Sequence, residues 1–512
     1  MKKLFFAGAI AAAVAALAAT RAPESNASSW IIVGAQVADG TGKPLVKQNV
    51  RIAGDQILEV GALEPKPGEK VVSGDGLVLA PGFIDVHNHS EKGLVTDPLA
   101  ETQISQGITT LVIGADGDSP WPIGEYLDAR RKAPATVNMM TMVGHATVRS
   151  QVLGDDYKRR ATKDEIAKMA SLVDQGMREG GSGLSSGLEY DVASYSSTGE
   201  LIALAKAAAR HGGFYMTHIR DEADKSFKAF EEAAAISHEG GLPLEISHIK
   251  LATVGVWGKA PQAVSFFQKR RLLGQDVTAD CYPYEAWHSD LYTLVPSKKY
   301  FDKASVERGI KDVGGPARVT ITKCKAHPDY EGRTLEEIAK AQNVTPAALF
   351  SKIIGDGGAD VIGHSMKEED VFEFYKQPWV MVASDGGIHS AHPRGGGTFP
   401  RVLGRFVRVR KLLTLEEAIR KMTSLPASRM KLPDRGVIAP GRRADLVLFD
   451  PKTVIDHSTF NEPEKLSEGI VFVVVNGEPV WADGKPTGAR PGRVLTLGPS
   501  AAFPTSPNPV GR

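Results

Sequence analysis

The chain has 512 residues, 42% of them hydrophobic, with 61 basic and 60 acidic side chains and a formal net charge of +1. That length and apolar content suffice for one large domain plus a smaller one. The near-neutral balance gives no electrostatic basis for nucleic-acid or membrane-surface binding. Two cysteines, Cys281 and Cys324, are too few for a disulfide framework or a cysteine zinc site.

The N-terminus has the layout of a bacterial-type secretory leader. Lys2 and Lys3 precede an alanine-rich apolar run from Leu4 to Ala19, with Ala16-Leu17-Ala18 as a small-residue cleavage site. Residues 1–18 are therefore expected to be a signal peptide, and the mature protein to be secreted or periplasmic with no membrane attachment. An uncleaved anchor is the competing reading, but the run is short and its side chains small. No cysteine follows it to carry a lipid.

Residues 30–80 contain short β-branched runs between glycine and aspartate turns, such as Trp30–Val33, Asn49–Ile52, Gln56–Val60 and Leu77–Leu79. The same texture returns at Ala444–Phe449 and Val471–Gly477. One small β-sandwich, built from residues 30–80 and 431–490, accounts for both. The tail beyond Gly498 is rich in Pro, Ser and Gly and is expected to be loose.

Between these ends, in residues 81–430, strand-like runs alternate with helical ones. The strand candidates are Phe83–His89, Thr110–Asp116, Met139–His145, Gly183–Tyr190, Gly213–Arg220, Leu244–Lys250, Val277–Tyr284 and Val380–Gly386. Lys163–Gly180, Ser197–His211 and Lys225–His238 have apolar residues at helical spacing. Eight such strands predict an α/β fold of the (β/α)8 TIM-barrel type, whose active site gathers at the C-terminal strand ends. Residues 285–379 are too many for one helix. They hold their own strand (Ala317–Cys324) and helix (Leu335–Gln342), so an inserted lid over the barrel mouth is expected.

Polar residues recur at those strand ends. His87 and His89 close the first, Asp116 the second, His145 the third and Glu189 the fourth; His218, His248 and Asp385 close the fifth, sixth and eighth. Residues i and i+2 of a strand point the same way, so His87 and His89 can grip one ion. Imidazoles and carboxylates suit zinc or a similar divalent cation, one or two per subunit. A bound metal makes water nucleophilic near neutral pH, and Asp385 could carry the proton to a leaving nitrogen. In Ala383-Ser384-Asp385-Gly386-Gly387 the same aspartate equally suits an Asp-Gly turn.

Pro81–His89, Thr217-His218-Ile219-Arg220-Asp221-Glu222, Ser247-His248-Ile249-Lys250 and Ser384-Asp385-Gly386 resemble the amidohydrolase superfamily. Ala391-His392-Pro393-Arg394 and Gly397–Gly404 are closer still to the N-acyl-D-amino-acid deacylases, or D-aminoacylases. Gly144-His145, Gly187–Tyr190 and Tyr282-Pro283-Tyr284 also suit that group, and Gly436–Leu446 resembles the superfamily's return into the β-sandwich. The resemblance spans about residues 30–490.

It implies His87 and His89 as ligands of one zinc, His218 and His248 as ligands of the other, and Asp385 as catalytic carboxylate and further ligand. D-aminoacylases usually carry Gly-Asn-Cys-Gly after the second strand, where this chain has Gly114-Ala115-Asp116-Gly117. With no thiolate there, Glu189 is the favoured bridging carboxylate and Asp116 the alternative. Glu189 could instead pair with Arg220 or Lys250. Arg220, Lys250, Tyr282 and Arg394 are candidates to hold a substrate carboxylate; His145 could meet the scissile amide or orient a neighbour.

The expected activity is hydrolysis of the amide of an N-acyl amino acid; the resemblance to D-aminoacylases suggests the D configuration, which the sequence by itself leaves open. The alternatives are a cyclic amidase of hydantoinase or dihydroorotase type, an isoaspartyl-type dipeptidase, or a non-catalytic binding protein on the same barrel. The expected partner is a small-molecule substrate, and homo-oligomerisation is left open.

Overall fold

A computed structural model describes residues 29–497; the expected leader and the tail from Gly498 lie outside the described residues. Eight short parallel strands form the barrel: Phe83–Asp85, Ile108–Ile113, Asn138–Thr141 continued as Val143–Gly144, Leu184–Gly187, Tyr215–His218, Leu244–Ile246, Val277–Cys281 and Val380–Val382. They coincide with the eight runs read from sequence but are shorter. The ring closes between first and eighth strands: the Asp385 N–H donates to the His87 carbonyl at 2.9 Å and the His89 N–H to that of Gly386 at 2.7 Å. Just below, the Ser384 hydroxyl donates to Asp85 Oδ2 at 2.5 Å. The buried Asp85 thus clamps the seam from which Asp385 and the first histidine pair project.

Ile84, Val86, Val112, Met140, Phe214, Met216 and Met381 form one buried cluster among the strands, joined by Ala427, Met430 and Leu432. The alternate strand residues, such as Leu111, Tyr215, Leu244 and Val380, belong to the larger core shared with the outer helices. Those helices start where the side chains dictate. In Lys163–Arg178 a reciprocal capping box joins Thr162 and Glu165, a device whose loss costs about 1 kcal/mol. Met169, Val173, Gly176 and Met177 then supply its buried stripe. Helices Thr198–Ala209 and Ser226–Gly240 follow the fourth and fifth strands.

The β-sandwich draws on both ends of the described chain. Gln56–Gly61, Asn49–Ala53, Ser29–Val33 and Lys70–Ser73 make one sheet; Val78–Pro81, Leu446–Phe449 and Ile470–Val475 lie at the centre of the other. Val78–Pro81 pairs antiparallel with Leu446–Phe449, and Ile32, Val50, Ile52, Leu79, Leu446 and Leu448 are buried together. Val78–Pro81 runs almost directly into the first barrel strand, Phe83–Asp85.

Between the seventh and eighth barrel strands a separate antiparallel sheet forms from Trp287–Asp290, Asp360–Gly363 and Val319–Lys323, with helices Lys303–Asp312, Leu335–Ala341 and Pro346–Gly355. Trp287 faces Gly363 across this sheet. A Cβ at Gly363 would lie 2.2 Å from the indole, so the missing side chain is what lets the tryptophan lie flat there. The two cysteines are buried and free, Cys281 on the seventh barrel strand and Cys324 in this insertion.

Candidate metal centre

The strand ends converge. His87, Asp116, His248 and Asp385 each present one potential ligand atom within 4.8 Å of the others, and His218, Glu222 and His248 form a second such group that shares His248. His87 Nε2 stands 3.4 Å from Asp116 Oδ2 and 3.4 Å from Asp385 Oδ1. His89 Nε2 is 3.6 and 3.2 Å from the same two oxygens. His248 Nε2 is 3.4 Å from Asp116 Oδ2 and 3.0 Å from His218 Nδ1. Ligands about 2.0–2.1 Å from a tetrahedral ion sit roughly 3.3–3.4 Å apart, and the separations match that spacing. Both ring nitrogens of the fully buried His87 lack a hydrogen-bond partner, as does Asp116 Oδ1. Unpaired polar atoms so deep in a protein call for a ligand, so the donors fit a divalent cation.

Backbone conformation aims three of these groups. Asp116 (φ 54°), His248 (φ 32°) and Asp385 (φ 49°) all adopt the left-handed region, which costs a side-chain-bearing residue energy and clusters at functional sites. Each sits just beyond its strand, where the turn swings the side chain over the mouth.

The electrostatics follow from crowding. Burial alone would strip protons from the imidazoles, but the Asp116 and Asp385 carboxylates outweigh it and hold His89 up at about 10. His87 is likewise raised well above its ordinary value, burial being overcome by Asp116, Asp280 and Asp385. Burial pushes the Asp116 and Asp385 carboxyls up, and the surrounding cations bring both far below the ordinary carboxylate range. For Asp116 these are His87 and His248; for Asp385 they are Arg394, His248 and His87. Imidazoles and carboxylates here favour one another's charged forms, and the same two carboxylates would favour a dication in place of imidazole protons.

Glu189, the bridge favoured from sequence, reaches His218 Nε2 at 2.9 Å but joins neither group of converging ligand atoms. Asp116 holds the central position instead. The fourth strand ends at Gly187, and Glu189 stands on the turn beyond it, at the rim of the cavity. The second strand instead delivers Asp116 inward through the Gly114 turn, where a Cβ on Gly114 would lie 2.9 Å from the Met142 carbonyl.

The candidate substrate residues separate. Arg394 and Lys250 line a cavity of about 60 Å³ beside His218, His248 and Asp385. Arg394 Nη1 lies 2.6 Å from Asp385 Oδ2, and Lys250 Nζ is 2.8 Å from Glu222 Oε1. Tyr282 is buried behind them, its ring 4.8 Å from Arg394 and 5.7 Å from Lys250. Arg220 lines a neighbouring, larger cavity and forks onto Glu232 at 2.7 and 2.9 Å. His145 is a correction: it begins helix His145–Leu153 rather than ending a strand, and its Nε2 meets Glu200 at 2.9 Å. Arg149 grips the same buried Glu200 through both oxygens at 2.6 Å, so His145 serves this helix-to-helix junction and lines neither cavity.

Two site residues had no role in the sequence reading. Glu222, four residues past His218, sits 3.2 Å from His248 Nδ1. Asp280, fully buried on the seventh strand, accepts the His248 N–H at 2.8 Å and lies 3.5 Å from His87 Nδ1. The signal for Glu222 was its i+4 spacing from a candidate ligand. For Asp280 it was a carboxylate inside the apolar run Val277–Tyr284.

Known proteins match this arrangement. The amidohydrolase family's sequence profile matches residues 70–280 and 299–481. A D-aminoacylase of Alcaligenes xylosoxydans xylosoxydans is 35% identical over 92% of this chain and 98% of its own. An N-acyl-D-aspartate deacylase of the same organism is 36% identical over 94% of this chain and 97% of its own. A crystal structure of N-acyl-D-glutamate deacylase from Bordetella bronchiseptica superposes with a TM-score of 0.83. It is 32% identical, covering 91% of this chain and 99% of its own, and is complexed with zinc and a phosphonate mimic of the tetrahedral intermediate. Eight strands closed into a barrel, a sandwich made from both chain ends and a histidine–aspartate cluster at the barrel mouth therefore have one account: this chain belongs to the amidohydrolase family.

Proposed function

We propose that the protein is an exported, zinc-dependent amidohydrolase that cleaves the amide of N-acyl-D-amino acids. The observation that carries the reading is the convergence of four buried groups, His87, Asp116, His248 and Asp385, within 4.8 Å of one another beside a cavity bearing two cations. Similarity to deacylases of D-amino acids over more than nine-tenths of the chain supports the substrate class. Export rests on the leader-like residues 1–18.

In this reading His87, His89, Asp116 and Asp385 would hold one ion, and His218 and His248 would hold a second. Zinc bound there would supply Lewis acidity, acidifying a water molecule and polarising the scissile carbonyl. Asp385 Oδ1, which faces His87 and His89, takes the proton of the attacking water and returns it to the leaving nitrogen; Oδ2 stays on Arg394. Arg394 and Lys250 receive the substrate's carboxylate, with Tyr282 bracing both cations from behind. Trp287, His288 and Leu294 of the insertion line the same cavity and exclude water from it.

The test is a panel of N-acetyl-D- and N-acetyl-L-amino acids, dipeptides and hydantoins given to the zinc-loaded protein, with and without a chelator. Chelator-sensitive release of D-amino acids is the expected result. Turnover of hydantoins or L-substrates alone would replace the reading.

A further inference from the structure

We propose that the acyl half of the natural substrate is itself a peptide, so that the enzyme releases a D-amino acid from the carboxyl end of a short, polar chain. This rests on the deacylase reading above and names the substrate class more closely.

The cavity of about 60 Å³ beside the metal centre leads into a second one of about 1040 Å³; Glu189, Tyr190, Thr293 and Asp312 line both. At the junction Glu189 and Tyr190 touch His218, at 2.9 and 3.1 Å, so the larger groove begins one contact from the cluster. Arg394 and Lys250 line the small cavity and not the large one. A D-amino acid whose carboxylate rests on those two cations therefore points its acyl group towards the groove.

An acetyl group needs almost none of that space, since cavities of about 300–1,000 Å³ take whole drug-sized ligands. The groove's chemistry selects among larger acyl groups. Six cationic and seven acidic side chains line it. Arg220 pairs with Glu232, Lys298 with Asp191 and Arg308 with Asp224, while Lys225 and Lys228 are exposed along its wall. A fatty chain laid there would strip water from these charges without replacing its hydrogen bonds. A peptide brings its own amide donors, carbonyl acceptors and terminal charge, and both signs of partner are present.

The chemistry is unchanged. Water adds across the last peptide bond, its hydroxyl going to the carbonyl carbon and a proton to the nitrogen as the C–N bond breaks. A shortened peptide acid and a free D-amino acid result, with no other reactant.

The experiment compares kcat/KM of the zinc-loaded full chain on four derivatives of one D-amino acid: acetyl, Ala-Ala, Ala-Ala-Ala and lauroyl. The tripeptidyl substrate is expected to exceed the acetyl one by about tenfold or more, because groove contacts act on the remote part of the substrate. The lauroyl substrate should fall below both. The double variant Lys225→Glu/Lys228→Glu should lower the ratio of tripeptidyl to acetyl turnover, a ratio that poor folding or partial metal loading does not move. Good turnover of the acetyl substrate with no gain on the peptides, a preference for lauroyl, or a ratio indifferent to the double variant overturns this inference alone. Inertness towards all four overturns the deacylase reading with it.

Discussion

Glu222 Oε1 stands 3.2 Å from His248 Nδ1, behind the face that His248 turns to the cluster. Lys250 Nζ stands 2.6 Å from that same nitrogen, so a carboxylate and an ammonium hold Nδ1 between them and keep Nε2 turned towards Asp116 and His218. The ammonium, 2.8 Å from Glu222 Oε1, offsets the charge of the buried carboxylate. This makes Glu222 a positioning residue for the metal centre.

Glu222→Gln should therefore weaken zinc binding by about 10- to 100-fold, the usual effect of losing a partner behind a histidine ligand. Competition with a chromophoric chelator measures it directly, with no dependence on turnover. Affinity equal to that of the parent would remove Glu222 from this role.

Asp116 is expected to be a metal ligand. Asp116→Ala should lose bound metal, while Asp116→Cys should keep it. On cobalt substitution the cysteine variant should gain a thiolate-to-cobalt absorption band that the parent lacks. If the band fails to appear in a folded, cobalt-loaded variant, position 116 is not a ligand.

Asp385→Asn keeps the size of the side chain and its contact with Arg394 but cannot take up a proton. A fall in kcat of about 10²–10⁴ is expected, with bound metal retained in part through His87 and His89. A metal-loaded variant with parental kcat would rule out the proton transfer assigned to Asp385.

The β-sandwich carries its own pH dependence. Arg51, hydrogen-bonded to Glu69 at 2.8 Å, holds that carboxyl at about 2, against the opposing effect of its burial. The native state thus binds the proton less tightly than the unfolded chain does. The pair's stabilisation is complete above the ordinary glutamate value of 4.5 and is lost as pH falls from there towards 2. Glu69→Gln should lower Tm at neutral pH and flatten the Tm profile in that window. A profile as steep as the parent's would place the acid sensitivity elsewhere.

Most of the frame is legible in the linear chain. Alternation of apolar runs with helical stripes marks all eight barrel strands, because a parallel strand buried on both faces must be apolar along its length. The β-branched segments at both ends mark the sandwich differently, as mainly antiparallel strands that bury one face and are joined by glycine and aspartate turns. His87, His89, His218, His248 and Asp385 are visible as imidazoles and a carboxylate at the C-terminal ends of the barrel runs. Sequence spacing could not choose between Asp116 and Glu189, since both follow a strand by a few residues. The choice lies in left-handed turns and in how close Gly114 passes the third strand, and neither has a periodic signature. His145 looks like a strand end until its helix is seen to pack against Glu200. The partnership of Glu222 with His248 joins separate βα units, so only the closed barrel brings the two side chains together. Residue type and local period thus decide which elements form, whereas the last few ångströms of the site depend on contacts between segments far apart in the chain.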